Sequence, residues 1–141
     1  MVAVLCIALG ETKRKHAFNV TIYLLFNIFL ITLLKQFYID PRPFWTDPNI
    51  RSLSVYCPAE FGNPSGHSWF ATVFIFLLFL RYFPKMGKLY ALGGSALLIF
   101  LVAFSRMYLG AHSLDQVLLG VCLGMVMNVL YFICGLDDRI S

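Results

Sequence analysis

Apolar residues fall in long runs along this chain, and short polar clusters separate one run from the next. An α-helix of about 20 apolar residues is long enough to cross the hydrocarbon core of a bilayer. The pattern therefore predicts four spanning helices, at about residues 18–38, 68–83, 89–108 and 113–135. The opening apolar stretch, residues 1–9, is too short to span a bilayer and predicts a partial N-terminal helix.

The longest polar segment, residues 40–66, is rich in Pro, Asp, Asn and Ser, a composition that favours loops and short turns. Pro41 and Pro43 lie at its start and must end the first strong helix. The expected fold class is all-α. We predict a polytopic transmembrane helix bundle that forms a single membrane-embedded domain over residues 1–141.

Composition and charge agree with a lipid environment. Of 141 residues, 60% are hydrophobic and 13% are charged, whereas charged residues make up about a quarter of an ordinary globular protein. The net charge of +4 does not indicate a nucleic-acid partner, because no basic stripe with interleaved exposed aromatic residues accompanies it. We therefore expect an integral, multi-pass membrane protein surrounded by lipids.

Lysine and arginine residues are divided unequally between the two ends of the predicted bundle. One end carries Lys13, Arg14, Lys15, Arg81, Lys85, Lys88 and Arg139, and the other carries Lys35, Arg42, Arg51 and Arg106. Short cytoplasmic loops usually hold the excess of such cations. The first end is therefore predicted to be cytoplasmic, and the second to face a lumen, the periplasm or the exterior.

A first candidate motif for chemistry combines Lys35 and Arg42. Lys35 closes the first strong helix and Arg42 lies between two prolines, so both cations meet at the same membrane face. Arginine offers a planar fork to two phosphate oxygens, and lysine adds a compact charge. Each residue alone also fits a simpler reading, in which Lys35 snorkels to the interface and Arg42 faces lipid headgroups.

A second candidate motif, residues 62–68, immediately precedes an apolar run. Ser65 is predicted to cap the following helix, whose N–H groups and dipole would then point at an anion, and Gly66 allows a close backbone approach. His67 would lie in the first turn of that helix, where it could deliver a proton. A capped helix start with an incidental interfacial histidine explains the same residues equally well.

A third candidate motif joins two helices through the turn at Gly110. Arg106 lies near the end of one predicted helix and His112 at the start of the next, at the same face as Lys35. Ionisable residues at a membrane are expensive and indicate function by default. The alternative is an interfacial arginine anchor beside a helix cap, because Ser113 and Gln116 also fit a capping box.

Taken together, the three motifs resemble the phosphatidic acid phosphatase type 2 family. That family has the pattern Lys-x6-Arg-Pro, then Pro-Ser-Gly-His, then Ser-Arg-x5-His-x3-Asp. In this sequence the matching residues are Lys35, Arg42-Pro43, Pro64-Ser65-Gly66-His67, Ser105-Arg106 and His112. The order of the motifs, their spacing and their placement between apolar runs all agree, over about residues 35–116.

The resemblance implies a metal-independent phosphatase without a cofactor. In the family scheme His112 attacks phosphorus, a phosphohistidine forms, and His67 protonates the leaving oxygen. The residues that would bind the phosphate are Lys35, Arg42, Ser65, Gly66 and Arg106. Three cations and backbone N–H groups could in principle neutralise the phosphoryl oxygens as Mg²⁺ does in other enzymes.

Two departures from the family pattern stand out. The family usually has Asp four residues after the nucleophilic histidine, whereas here Asp115 is at plus three and Gln116 at plus four. Either side chain could reach His112 along a helix, and Gln116 is the positional match, as in glucose-6-phosphatase-like members. Family cores also usually have six spanning helices, so this chain is expected to lack the N-terminal part of that core.

The motifs describe the phosphate and leave its substituent open. A catalytic face at the membrane boundary favours a phosphorylated amphiphile, a lipid phosphomonoester or diphosphate. Gln116 and the pair Phe44-Trp45 resemble glucose-6-phosphatase instead, which acts on a sugar phosphate. A non-catalytic truncated relative is the third reading. Three acidic residues are interpreted as loop and cap residues, since they lack a metal-binding partner: Asp40, Asp47 and Glu60.

Overall fold

A computed structural model describes residues 11–53, 59–82 and 87–134. The predicted partial helix at residues 1–9 lies outside these residues, as do Lys85 and Arg139 of the predicted cytoplasmic end. Within them the chain is helical between its loops, and the described residues contain no strand. The prediction of an all-α bundle is therefore confirmed.

Four long helices occupy the predicted positions. They are α1 (Glu11–Tyr38), α3 (Gly66–Tyr82), α4 (Lys88–Tyr108) and α5 (Leu114–Ile133), and α2 (Pro43–Thr46) is one short turn within the long loop. The helix α1 begins earlier than predicted, because its polar first turns continue the helix beyond the apolar run. Proline at the first position of α2 suits a helix start, since its missing N–H would have no partner there.

Length and apolarity make three segments candidates to cross a membrane: Ala17–Thr46, Leu89–Tyr108 and Leu114–Ile133. In α3 the apolar stretch is shorter, Gly66–Phe79. Large apolar side chains on α1, α4 and α5 are exposed, including Phe29, Phe100 and Val129. A lipid bilayer would solvate such a surface, whereas water would not.

The helix α3 lies at the centre of the bundle and packs against α1, α4 and α5. Its contact with α5 is close because glycines of α5 face it. A Cβ on Gly120 would lie 2.6 Å from the carbonyl oxygen of Ser65, and a Cβ on Gly124 would lie 2.8 Å from the Cβ of Thr72. Small residues four positions apart allow helix backbones to approach in membranes. These two glycines thus set the distance between α3 and α5.

Polar side chains also join the helices inside the bundle. Trp69 of α3 donates its indole N–H to the Asn27 side chain of α1 at 2.8 Å, and Asn128 of α5 donates to the Thr72 carbonyl at 3.1 Å. The rings of Tyr23 and Tyr131 pack with centroids 4.6 Å apart and so connect α1 to α5. Such hydrogen bonds stabilise helix packing where no water can replace them.

The glycine contact predicts a specific loss of stability. Gly124→Ala should destabilise the bundle by about 1–3 kcal/mol, because the new methyl group overlaps Thr72 and the carbonyl oxygen of Trp69. Gly93→Ala in α4 is the matched control, since nothing lies within 4 Å of the Cβ it would add. Unfolding by SDS titration measures both variants, and equal midpoints would contradict the packing role of Gly124.

Candidate active site

All three motifs meet at one end of the bundle. The C-terminal ends of α1 and α4 lie there, together with the N-terminal ends of α3 and α5. Backbone hydrogen bonds fix the long loop against them: the Gly62 N–H donates to the Asp40 carbonyl at 2.8 Å, and the Leu53 N–H donates to the Leu109 carbonyl at 3.1 Å. Side chains separated by up to 76 positions in sequence thus come into direct contact.

The turn between α4 and α5 depends on Gly110. This glycine has a φ of +67°, a conformation that residues with a side chain rarely adopt, and a Cβ there would lie 2.9 Å from the Arg51 carbonyl oxygen. The Ala111 N–H donates to the Arg106 carbonyl at 3.1 Å and completes the turn. The chain reverses within a few residues, and His112 enters the site directly before α5 begins.

Two buried cations bind the same residue, Glu60, one through its carboxylate and the other through its backbone carbonyl. The Lys35 ammonium contacts Glu60 Oε2 at 2.8 Å, and Arg42 donates its Nε–H to the Glu60 carbonyl at 2.8 Å. Lys35 is 4% exposed and Arg42 is 3% exposed, and buried charges of this kind require partners. Burial alone would raise the pKa of Glu60, but the hydrogen bond and charge of Lys35 outweigh it and lower that pKa.

Arg42 also reaches the candidate nucleophile. Its Nη1 lies 3.2 Å from His112 Nε2 and donates to the Ala111 carbonyl at 3.0 Å. Burial of the imidazole, followed by the charge of Arg42, lowers the pKa of His112 to about 4. His112 is therefore neutral near pH 7, which is the form of imidazole that can attack phosphorus.

Gln116 holds the other side of the His112 ring. Its Oε1 lies 3.2 Å from His112 Nδ1 and 3.3 Å from the Ser113 N–H, which it accepts. Its Nε2 donates to Asp40 Oδ2 at 3.0 Å and to the Pro41 carbonyl at 2.9 Å. The Gln116 side chain thus caps α5, as expected, and also contacts the histidine.

Asp115, the other residue considered for orienting His112, does not share this position. Its side chain is exposed, whereas Gln116 is 2% exposed and contacts the ring. The expectation that Asp115 could orient the imidazole is therefore not supported by the geometry. Gln116 contacts the ring because its side chain folds back to the N-cap of α5 in the capping box, next to His112, which directly precedes Ser113.

The remaining predicted residues surround this pair. Ser65 precedes α3 as expected of a cap, although its hydroxyl contacts the Ser68 hydroxyl at 3.0 Å, and its N–H donates to the Gln116 carbonyl at 3.0 Å. Gly66 begins α3, and His67 follows it with an exposed side chain. Arg106 donates its Nε–H to the Ser105 hydroxyl at 3.3 Å, and its charge acts on His67.

Sequence reasoning missed three contributors to this site. Asp40 and Glu60 were expected to be ordinary loop and cap residues, but they bind Gln116 and Lys35 respectively. Gly62 was not singled out, yet a Cβ there would lie 2.6 Å from both amide atoms of Gln116. In a proline-rich loop the sequence has no helical or strand periodicity, so it does not indicate which side chains face the site. Asp47 agrees with its interpretation, since it accepts the Asn49 N–H at 2.8 Å.

Comparison with known proteins identifies the class. Residues 16–139 match the family model of the PAP2 superfamily, so the chain belongs to that superfamily. This assignment confirms the resemblance inferred from the three motifs. Together with the apolar helices, it establishes an integral membrane protein of the PAP2 fold.

Named relatives and a solved structure agree with this class. Dolichyldiphosphatase of Saccharomyces cerevisiae is 32% identical over 127 residues, which are 86% of this chain and 52% of the relative. Human sphingosine-1-phosphate phosphatase 2 is 33% identical over 94 residues, 65% of this chain and 23% of the relative. The transmembrane PAP2-type phosphatidylglycerolphosphate phosphatase of Bacillus subtilis superimposes with a TM-score of 0.68 at 25% identity, over 89% of this chain and 60% of that one.

The close approach of the loop to Gln116 generates a testable prediction. Gly62→Ala should destabilise the protein by about 1–3 kcal/mol, because the methyl group overlaps an amide that four hydrogen bonds hold in place. The cost should shrink in a Gln116→Ala background, where the overlapping atoms are gone. Thermal unfolding in detergent measures the effect of Gly62→Ala in the parent protein and in the Gln116→Ala variant.

Gly93→Ala is again the control for that cycle. Nothing lies within 4 Å of the Cβ it would add, so no steric cost is expected with or without the Gln116 side chain. An equal cost of Gly62→Ala with and without the Gln116 side chain would show that the two residues do not interact.

Proposed function

We propose that this chain is a metal-independent membrane phosphatase that hydrolyses a lipid phosphate or diphosphate through a phosphohistidine on His112. One observation carries the proposal: Arg42 Nη1 lies 3.2 Å from His112 Nε2, on the side of the ring opposite Gln116. A phosphoryl group bound by the arginine fork would thus lie next to the nitrogen that attacks it.

Phosphate binding is assigned to the residues that the family pattern names. Lys35, Arg42 and Arg106 would neutralise the phosphoryl oxygens, and the first N–H groups of α3 would donate hydrogen bonds to them. Ser65 and Gly66, at the start of that helix, would bind the phosphate with them. Glu60 is the partner of Lys35 and would share this cation with the substrate. Because Lys35 and Arg42 are buried, their attraction for the transition state is only weakly screened.

The first chemical step forms the phosphoenzyme. The Nε2 lone pair of neutral His112 attacks phosphorus, the phosphorus–oxygen bond to the leaving group breaks, and His67 donates a proton to the departing oxygen. The pKa of His112, lowered to about 4 by burial and by Arg42, supports its role as the attacking base near neutral pH. His67 is exposed, which suits a group that exchanges protons with water.

The second step restores the protein. His67, now neutral, removes a proton from water, and the resulting hydroxyl attacks phosphorus while the bond to His112 Nε2 breaks. Inorganic phosphate leaves, and the net reaction consumes one water for each phosphate released. Gln116 would keep its contact with His112 Nδ1 in both steps, so that the ring returns in the same orientation.

The relatives and the position of the site support a lipid substrate. Dolichyldiphosphatase, sphingosine-1-phosphate phosphatase and phosphatidylglycerolphosphate phosphatase are each named for a phosphorylated lipid. The candidate site lies at one end of apolar helices, where a lipid headgroup would lie. The distribution of Lys and Arg favours the non-cytoplasmic face for this end. We therefore favour a phosphorylated amphiphile over glucose 6-phosphate.

The first test is phosphate release by the full chain in lipid vesicles containing EDTA. The substrates are dolichyl diphosphate, sphingosine 1-phosphate, phosphatidylglycerol phosphate, phosphatidic acid and glucose 6-phosphate. We expect release from at least one lipid substrate and its loss in His112→Ala. His16→Ala is the control, because His16 lies at the opposite end of α1 from Lys35.

Three results would contradict this account. Release from glucose 6-phosphate alone would favour a sugar phosphatase, and equal activity of His112→Ala and the parent would exclude His112 as nucleophile. A folded parent chain without activity on any substrate would favour a non-catalytic relative.

Addition of an alcohol shows whether acceptors other than water also take the phosphoryl group.

The role of His67 predicts a dependence on the leaving group. His67→Gln should slow formation of the phosphoenzyme from an alkyl phosphate by about 10²- to 10⁴-fold, because an alkoxide needs a proton to depart. The loss should be much smaller with p-nitrophenyl phosphate, whose phenolate leaves without protonation. Single-turnover measurements isolate this step, and an equal loss with both substrates would exclude His67 as the acid.

The lowered pKa of His112 predicts the acid limb of the pH profile. We expect kcat/KM to persist in mild acid and to fall as the pH approaches about 4, where His112 becomes protonated. The pKa of His112 in the folded protein, about 4, lies below the ordinary value of about 6.5. As the pH falls between these two values the unfolded chain binds a proton that the folded protein does not, so the free energy of unfolding decreases. The folded fraction must therefore be measured at each pH. An acid limb near the ordinary value, in a fully folded protein, would contradict the prediction.

A further inference from the structure

Asp40 lies in a turn between α1 and the long loop, and hydrogen bonds hold it there. The preceding residue, Ile39, has a φ of +46°, which is uncommon for a β-branched side chain and indicates that surrounding contacts hold the turn. The Asp40 carbonyl accepts the Gly62 N–H, and its carboxylate accepts the Gln116 Nε2–H at 3.0 Å. This turn therefore directs the carboxylate towards α5 instead of leaving it in the loop.

The amide of Gln116 has a defined orientation because every polar atom has a partner. Both hydrogens of Nε2 are used, one by Asp40 Oδ2 and one by the Pro41 carbonyl, while Oε1 accepts the Ser113 N–H. Rotation of the amide by 180° would place its oxygen against a carboxylate and a carbonyl, and its N–H₂ against an N–H group. Asp40 and its neighbours thus keep Oε1 facing His112.

An oxygen on that side determines which ring nitrogen of His112 carries the proton. Oε1 can only accept, so Nδ1 must be the donor across the 3.2 Å contact. In a neutral imidazole Nε2 then holds the lone pair, and it is Nε2 that faces Arg42. The opposite tautomer would place two acceptors together at Nδ1 and two donors together at Nε2.

We propose that Asp40 is a positioning residue that acts through Gln116, fixing the amide so that His112 presents the Nε2 lone pair to the substrate. The proposal rests on the function proposed above. The family pattern places a carboxylate directly on the histidine, whereas here an amide contacts the ring and the carboxylate stands behind it. As Nε2 forms its bond to phosphorus the ring becomes cationic, and the carboxylate stabilises that charge through the polarised amide.

Several charged groups face His112 besides this chain of contacts. Arg42 lies against Nε2, Lys35 and His67 act from α1 and α3, and Glu60 acts from the loop. A change in the pH profile alone could arise through any of them. The test therefore starts from the proton on Nδ1, which reports the contact with Gln116 directly.

The direct test is ¹⁵N NMR of imidazole-labelled protein. The chain has three histidines, so the His112 signals can be assigned by their loss in His112→Gln. We expect the Nδ1–H tautomer in the parent and in Asp47→Asn, the matched control in the same loop. Asp40→Ala should give a mixture of tautomers and lower kcat/KM by about 10- to 100-fold. Asp40→Asn should largely restore both, because its amide oxygen can still accept from Gln116.

A polarity exchange tests the coupling between the two side chains. In Gln116→Glu the new carboxylate would take the place of an Nε2 that lies 3.0 Å from Asp40, and two carboxylates so close cannot both ionise. The Asp40→Asn/Gln116→Glu double variant should recover activity, because a donor then faces the carboxylate. It should also move the acid limb to higher pH, since the carboxylate now contacts His112 directly.

The outcomes separate this inference from the proposed function. A double variant no more active than Gln116→Glu, or an Asp40→Ala protein with an unchanged tautomer, would overturn the role of Asp40. The NMR result does not require turnover. A parent chain that releases no phosphate would contradict the proposed function, while the tautomer in Asp40→Ala would still decide whether Asp40 orients His112.

Discussion

The hydrogen bonds of Gln116 are the constraint on which the site depends. Its side chain contacts His112, Ser113, Asp40 and Pro41, and its carbonyl accepts the Ser65 N–H. These partners come from the end of α1, the start of α3 and the turn before α5. Gln116, which stands where the family usually has Asp, therefore holds the three motifs in one arrangement. Gly62 leaves the space that this amide occupies.

Burial makes this arrangement both costly and useful. Lys35 and Arg42 are almost inaccessible, and they are stabilised by Glu60 and by backbone carbonyls. The same burial lowers the pKa of His112 to about 4, since a proton there would add a charge beside Arg42. A site proposed to bind phosphate in a weakly screened environment thus also keeps its candidate nucleophile neutral. One physical cause thus serves two requirements of phosphoryl transfer.

The sequence predicted the helices well because long apolar runs report burial in lipid directly. It also predicted that Lys35, Arg42 and His112 would lie at the same face, since Lys35 and Arg42 are at the end of the first helix and His112 precedes the last one. The roles of Asp40, Glu60 and Gly62 were not predictable, because they depend on how an aperiodic loop closes over the site. The close packing at Gly120 and Gly124 was overlooked for a different reason: a glycine in an apolar helix reveals its contact only when the partner helix is known.

Detection of the phosphoenzyme tests the central claim most directly. The full chain in lipid vesicles would be mixed with substrate that carries a labelled phosphoryl group. Because phosphohistidine is labile in acid, the reaction would be stopped in alkali, and mass spectrometry would identify the residue that carries the label. We expect label on His112, more of it in His67→Gln with p-nitrophenyl phosphate because water is then activated poorly, and none in His112→Ala. Label on another residue, or phosphate release without any labelled residue in His67→Gln, would contradict the account.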